Sequence, residues 1–366
     1  MKKVLSLVVV AAMVLGLAAC AAPAAAPAAA APAAEAAAPA AKEEAAPAAK
    51  EEAAPAAKEE AAPAAADAGS DRPLIGLSHF NFGANNYCST YAKHAQEVYD
   101  EQYKDKFDFV ILDAQNDADK QLSDIDDLIS MGCDCIIVWP VSGTAVVPGL
   151  KAIKDAGIPC VNTNSKVDSS ATELLTCFTG PSDFDQGVQA GEAMIAGLKA
   201  QGKESGKIVE LSGQAGYDTA IQRTKGFAKA IEGTGYEVIE EQPADWSTEK
   251  AQTIMETYIA KYGDTIDGAY CADDGVSAGV LNALEAAGMN DGHIIITSPT
   301  LFASGYDAIA DGKQWGSILQ SPLEDAELAL EVAYGLTQGQ TYEYDNKIPT
   351  WIVDQSNYKE FDRPVW

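Results

Sequence analysis

Residues 109–140 read FVILDAQNDADKQLSDIDDLISMGCDCIIVWP, and the fold follows from this stretch. Two short apolar runs, Phe109–Asp113 and Cys135–Trp139, flank a segment, Ala118–Met131, with the patterning of an amphipathic helix. Strand, helix, strand at this spacing is a right-handed crossover between parallel strands. The unit repeats outward in both directions. Strand-like runs at Leu74–Ser78, Cys160–Thr163 and Leu174–Phe178 complete a first series, with a further helix at Thr144–Ala156. A second series has strands at Lys207–Leu211, Tyr236–Glu240, Gly268–Cys271, His293–Thr297 and Gln314–Leu319. Its helices are expected near 185–200, 217–232, 248–262, 276–288 and 303–311. Pro322–Leu336 then reads as helix and Pro349–Val353 as strand, so the chain crosses between the two series more than once. The fold class is α/β, with two doubly wound parallel-sheet lobes.

Composition sets the limits. The first fifth of the 366 residues is strongly biased, and the remaining roughly 290 suit two domains of ~150 residues each. Lys and Arg number 25 against 54 Asp and Glu, a formal charge of −29. A nucleic-acid partner would require a basic stripe to displace phosphate counterions, and no Lys/Arg cluster supplies one. At the N-terminus, Lys2 and Lys3 precede an apolar run, Val4–Leu17, too short to span a bilayer comfortably, so 1–19 reads as an export signal peptide. The run closes on Leu17-Ala18-Ala19-Cys20, which resembles a bacterial lipobox and implies lipidation at Cys20. Several acyl chains anchor a protein without any transmembrane helix. Residues 20–72 are nearly all Ala, Pro, Lys and acidic residues, with Lys-Glu-Glu recurring at Lys42, Lys50 and Lys58; they read as a disordered tether. The expected location is extracytoplasmic and lipid-anchored.

Six cysteines remain, Cys88, Cys133, Cys135, Cys160, Cys177 and Cys271, four of them in or beside apolar strands where Cys behaves as a small hydrophobe. One disulfide is compatible with export, but its pairing is not legible. With no C-x-x-C and only His79, His94 and His293, no metal site and no cofactor are expected.

In an open parallel sheet, ligands sit beyond the carboxyl ends of the strands. The polar and aromatic residues there are Asn85, Asn86 and Tyr87 after the first strand, Trp139 after the third, and Asn162 and Asn164 after the fourth. The second lobe offers Arg223, Trp246, Asp273, Asp274 and Gln320. Amides, carboxylates and a guanidinium each bond neighbouring hydroxyls, while aromatic faces pack on sugar C–H groups. Bland readings compete: Asn85 or Asn86 as a helix cap, Asp274 as the cap of the next helix with Asp273 the freer group, and Trp139 and Trp246 as interface packing. Three catalytic motifs are set aside. Gly275-Val276-Ser277-Ala278-Gly279 matches G-x-S-x-G, but a Ser277 hydrolase would need an acid and then a His, and His293 alone follows. Gly197–Lys203 lacks the Ser/Thr of a phosphate loop, and Asp113–Asp117 lacks the Gly of a calcium loop.

Leu112-Asp113-Ala114-Gln115-Asn116-Asp117 with Lys120-Gln121, Trp139-Pro140, Gln242-Pro243-Ala244-Asp245-Trp246 and Leu319-Gln320-Ser321-Pro322 together resemble ribose-binding-protein-type solute receptors of bacterial ABC importers. The resemblance covers about Pro73 to Val353. It implies a type I periplasmic-binding fold with hinge crossings near Pro181–Phe184, Gln320–Pro322 and Asp345–Pro349. Lobe 1 would comprise 73–181 with 322–346, and lobe 2 182–321 with 347–366. It implies ligand contacts at Asn85, Tyr87, Asn164, Arg223, Trp246, Asp273 and Gln320, to which the strand-end reading adds Trp139 where the family has a small polar residue, and a non-enzymatic, monomeric receptor that delivers a monosaccharide or polyol to a membrane permease. A sensor presenting the ligand to a chemoreceptor or histidine kinase is the alternative. Asn164-Ser165 stands where pyranose binders of the family usually carry Asp-Arg, and Asp273 replaces the more usual Asn, so the resemblance implies a remodelled pocket.

Overall fold

The computed structural model describes residues 71–366. The export signal, Cys20 and all but the last two residues of the tether lie outside the described residues. The first of those two, Asp71, is exposed; Arg72 donates to the Lys104 carbonyl at 2.6 Å and pairs with Asp108, so it already lies on the folded body.

The elements run β1 (Leu74–His79), α1 (Asn86–Val98), β2 (Asp108–Asp113), α2 (Ala118–Ser130), β3 (Cys135–Val138), α3 (Val147–Asp155), β4 (Cys160–Thr163) and β5 (Cys177–Gly180). Then come α4 (Asp183–Ala200), β6 (Gly206–Ser212), α5 (Asp218–Ile231), β7 (Tyr236–Pro243), α6 (Thr248–Tyr262), β8 (Gly268–Cys271), α7 (Asp274–Ala287), β9 (Ile295–Thr300), α8 (Ala303–Ala310) and β10 (Gly316–Leu319). The chain ends through α9 (Pro322–Thr337), β11 (Asp345–Lys347) and β12 (Trp351–Asp354). One sheet has the order β11-β5-β4-β3-β1-β2 and the other β12-β10-β9-β8-β6-β7. Every pairing is parallel except β10 with β12.

Each sheet is the middle of three layers. Along β1, Ile75 and Leu77 join the core under α1 and α9, while Leu74 faces the core under α2 and α3. This is the two-residue alternation of a strand covered on both faces. In the second sheet Val209 and Leu211 face α6 and α7, and Ile208 faces α4 and α5. Between α4 and α5 the backbones touch: a Cβ on Gly187 would lie 2.1 Å from the Arg223 carbonyl oxygen, so only glycine fits. The chain passes between the sheets three times, from β5 into α4, from β10 into α9 and from β11 into β12. This is the three-segment hinge expected.

One expectation is corrected. The strand expected at Leu174–Phe178 begins at Cys177, because Ser169–Leu174 forms a 3₁₀ turn whose Ser170 N–H donates to Asp168, and pairing with β4 starts only at Val161 with Cys177. Leu174 and Leu175 are apolar because they pack on the α2/α3 core from the sheet's end. The six described cysteines are all buried free thiols, and burial raises each from its usual range, to about 12 at Cys133 and about 11 at Cys177.

Replacing Gly187 by Ala forces α4 and α5 apart. Overpacking of this kind costs about 1–3 kcal/mol. Thermal denaturation of Gly187→Ala should show a melting temperature lower by several degrees; an unchanged value would contradict the close approach.

Candidate functional site

In each sheet the strand order reverses beside the first strand, between β1 and β3 and between β6 and β8. Loops leaving such neighbours diverge to opposite faces and open a crevice. The carboxyl ends of the two sheets face one another, and the residues after β1, β3, β6 and β8 line a single cavity. It encloses about 70 Å³ and opens into a wider hollow of about 610 Å³. All eight residues anticipated at strand ends, Asn85, Tyr87, Trp139, Asn164, Arg223, Trp246, Asp273 and Gln320, line the inner cavity. Asn86 lies in the outer hollow. Asn162 turns inward instead, donating to the Val138 and Ser165 carbonyls.

The positioning is local and strained. All seven non-glycine residues with positive φ among those described lie at or just past strand ends at this face: Gln115, Asn116, Asn164, Asp245, Trp246, Thr300 and Leu301. Such conformations cost on the order of 1–3 kcal/mol each and cluster where geometry is imposed for function. The two lobes repeat one device. After β2, Gln115 and Asn116 turn left-handed before Asp117 caps α2; after β7, Asp245 and Trp246 do so before Ser247 caps α6. The second turn swings the Trp246 indole over Gly213, where a Cβ would meet its ring at 2.3 Å.

Arg223 is the polar centre. It is 4% exposed, and its Nε donates to Asp183 at 3.1 Å and Gln186 at 3.2 Å. Nη2 donates to Gln186 at 2.9 Å and Gln320 at 3.0 Å, and Nη1 to the Ala272 carbonyl at 2.8 Å. Gln320 passes the chain on, its amide donating to the Tyr87 hydroxyl at 2.8 Å. Tyr87 in turn donates to Asp325 at 2.8 Å, and Asn164 donates to the same oxygen at 2.6 Å. Burial pushes Asp183 and Asp273 up to about 6, against the pull of Arg223, and Asp325 up to about 7. Below the aromatic wall, buried His79 is held down to about 3 by desolvation; as a neutral ring it accepts the Asn81 N–H at Nδ1.

The assignment of Asp273 and Asp274 reverses. Asp273 has extended backbone and its Oδ1 accepts from the Val276 N–H at 2.7 Å, so it is the cap of α7. Asp274 is 1% exposed and binds Ser298, Gln314 and Ser317, with its other role to accept the Phe302 N–H at 2.6 Å. It thereby fixes Phe302, which reaches into the core cluster of the first lobe. Asn85 likewise caps α1 through Cys88 N–H while lining the cavity. Ser277 is buried, its hydroxyl donating to Asp274 and Gln314, so the G-x-S-x-G match is helix packing rather than a nucleophile.

Sequence reasoning missed Phe80, Gln214, Tyr217 and Phe302 in the lining. Phe80 and Gln214 follow β1 and β6 closely and carried the same strand-end signal as Asn85. Asp183, Gln186 and Asp325 carried none, since each acts through a partner distant in sequence. Across the cleft, Trp139 Nε1 donates to the Tyr217 hydroxyl at 3.2 Å, and Thr219 bonds Ser165 at 3.2 Å. The lobes are therefore closed on each other.

A sequence model of a family described as "Periplasmic binding protein domain" matches residues 75–341. The xylitol-binding protein of Mycolicibacterium smegmatis is 28% identical over 78% of this chain and 77% of its own. The ribose import binding protein of Bacillus subtilis is 28% identical over 67% and 77% respectively. A solved ABC transporter solute binding protein from Bacillus halodurans, with bound myo-inositol, superposes with a TM-score of 0.72 at 27% identity, covering 80% of this chain and 98% of that one.

Asp183, Asp273, Asp274 and Asp325 all bind protons more tightly folded than unfolded, so stability is full below their unfolded values near 4 and falls as pH rises through about 6 to 7. The ligand-free protein should melt at a higher temperature at pH 5 than at pH 8. Asp325→Asn should flatten the upper part of that slope; a melting temperature that rises from pH 5 to 8 would contradict the burial of these groups.

Proposed function

Because the chain belongs to the periplasmic binding protein family, we propose that it captures a monosaccharide or polyol between its two lobes and delivers it to the permease of an ABC importer. The observation that carries this reading is the cavity between the two lobes, to which both sheets contribute their carboxyl ends. Its lining combines three kinds of recognition that a small hydroxylated molecule needs. Amides at Asn85, Asn164 and Gln320 both donate and accept. Asp273 has one oxygen spent on its helix cap and a second for a ligand hydroxyl. The faces of Trp139 and Trp246 offer aromatic packing to C–H groups.

Closure follows from where these groups sit. Tyr87, Trp139 and Asn164 belong to elements of the first sheet's lobe, and Arg223, Trp246 and Asp273 to those of the second. A ligand touching both favours the closed arrangement by its differential affinity for it, and about 5.5 kcal/mol takes a population from 1:99 to 99:1. The permease then reads the closed shape. Cys20, outside the described residues, is the proposed lipid anchor, with the residues that follow it, up to about 71, as the tether that lets the receptor reach the permease.

A thermal-shift screen of pentoses, hexoses, sugar alcohols and inositols tests the reading. A true ligand at 100 times its Kd adds about 2.7 kcal/mol of stability. Trp246→Ala should weaken that ligand roughly 10- to 100-fold in isothermal titration, the loss of about 1.5–3 kcal/mol of apolar burial. No stabilisation by any member of the panel would refute the ligand class. For the anchor, Cys20→Ser should release the protein from the membrane fraction, and retention there would refute lipidation at that residue.

A further inference from the structure

Charge around the cavity does not balance. Two buried charged side chains of opposite sign line it, Arg223 and Asp273, with the buried carboxylates of Asp183 and Asp325 behind them, bonded to Arg223 and to Asn164. Arg223 is paired with Asp183 at 3.1 Å, and its hydrogen bonds to Gln186, Gln320 and the Ala272 carbonyl leave a single Nη1 N–H for any ligand. Among the described residues Asp273 makes no salt bridge; its carboxylate accepts from the first turn of α7, at the Val276 N–H, and is attracted by Arg223 from a distance. Arg223 is the one cationic side chain in the lining of the inner cavity, and the outer hollow adds Asp245 and Glu249 with no Lys or Arg. Five aromatic rings share the lining with Asp273: Trp246, Tyr217, Trp139, Phe80 and Phe302.

A carboxylate in a cage of aromatic faces is the environment that stabilises an ammonium group, through charge pairing and attraction to the ring quadrupoles. A wholly neutral polyol would leave the buried Asp273 charge offset only by the Arg223 guanidinium, which is already paired with Asp183. We infer that the ligand is a hydroxylated amine, an aminated sugar or polyol whose ammonium group sits against Asp273 while its hydroxyls engage the amides. This rests on the capture reading above and names the ligand's charge. Asp245 at the mouth is paired with Lys250, which leaves the Glu249 carboxylate there; with the overall charge of −29 it raises the local concentration of a cation.

The test uses matched pairs that differ by one substitution of amine for hydroxyl: glucosamine and glucose, galactosamine and galactose, 1-amino-1-deoxysorbitol and sorbitol, and a monoaminated inositol and its parent. Isothermal titration of the mature chain carrying Cys20→Ser, to keep it in solution, should show in at least one pair the amine binding about tenfold or more tighter than its parent. Asp273→Asn keeps a competent helix cap, so the variant should fold and bring the affinities of amine and parent together, whatever it does to the parent itself. Parents binding as tightly as or tighter than their amines would overturn the inference and leave the capture of hydroxylated ligands standing. A preference that survives in Asp273→Asn would overturn the assignment of the ammonium to this carboxylate. Absence of binding by both members of every pair would overturn the capture reading and the inference together.

Discussion

The guanidinium of Arg223 holds the structure's two halves in register with its cavity. Its partners come from α4 just past the first hinge crossing, from the β10–α9 crossing through Gln320, and from the end of β8. Gln320 extends the chain to Tyr87 on α1 and so to Asp325 on α9, in the opposite lobe. One buried hydrogen-bonded chain thus runs from lobe to lobe through the hinge while forming the cavity wall. A buried ion pair seldom adds net stability against an apolar substitute, since both charges must be desolvated. Its value here is positional: removing either partner leaves a buried charge unpaired, so the arrangement has few alternatives.

The remaining geometry adds to that constraint. Left-handed turns at Asp245 and Trp246 and at Thr300 and Leu301 bring Trp246 and Phe302 to the cavity, and neither turn is held by glycine. Asp274 holds the second through the Phe302 N–H, and the closeness of Gly213 makes room for the first. Strain at the rim is sustained by the rigidity of the two three-layer cores behind it. Those cores are built from strand alternation and helix stripes that need no help from the site. The ligand-binding end can therefore be strained and charged while the opposite end is ordinary.

Most of the fold was legible because both lobes repeat the same strand–helix unit, and each buried strand is a short apolar run bounded by turn residues. Strand ends were then a sound guide to lining residues, which is why Tyr87, Trp139 and Asp273 could be named from position. Errors arose where one residue of offset mattered. Asp273 and Asp274 both follow β8, and which of them caps α7 depends on where extended backbone stops, a property of the packed sheet rather than of either side chain. Asp325 was invisible for another reason: it lies 238 residues from Tyr87, and only the packing of α9 on α1 within the first lobe brings them together. Leu174 shows the same limit at an edge, where an apolar residue covers a core without joining the sheet.

The central claim is that a ligand bridging the two lobes stabilises the closed arrangement organised on Arg223. Small-angle X-ray scattering of the mature chain carrying Cys20→Ser, with and without a saturating ligand from the screen, measures this directly. The account predicts a smaller radius of gyration with ligand, and a smaller response in Arg223→Ala at equal occupancy. Identical scattering with and without bound ligand would contradict it.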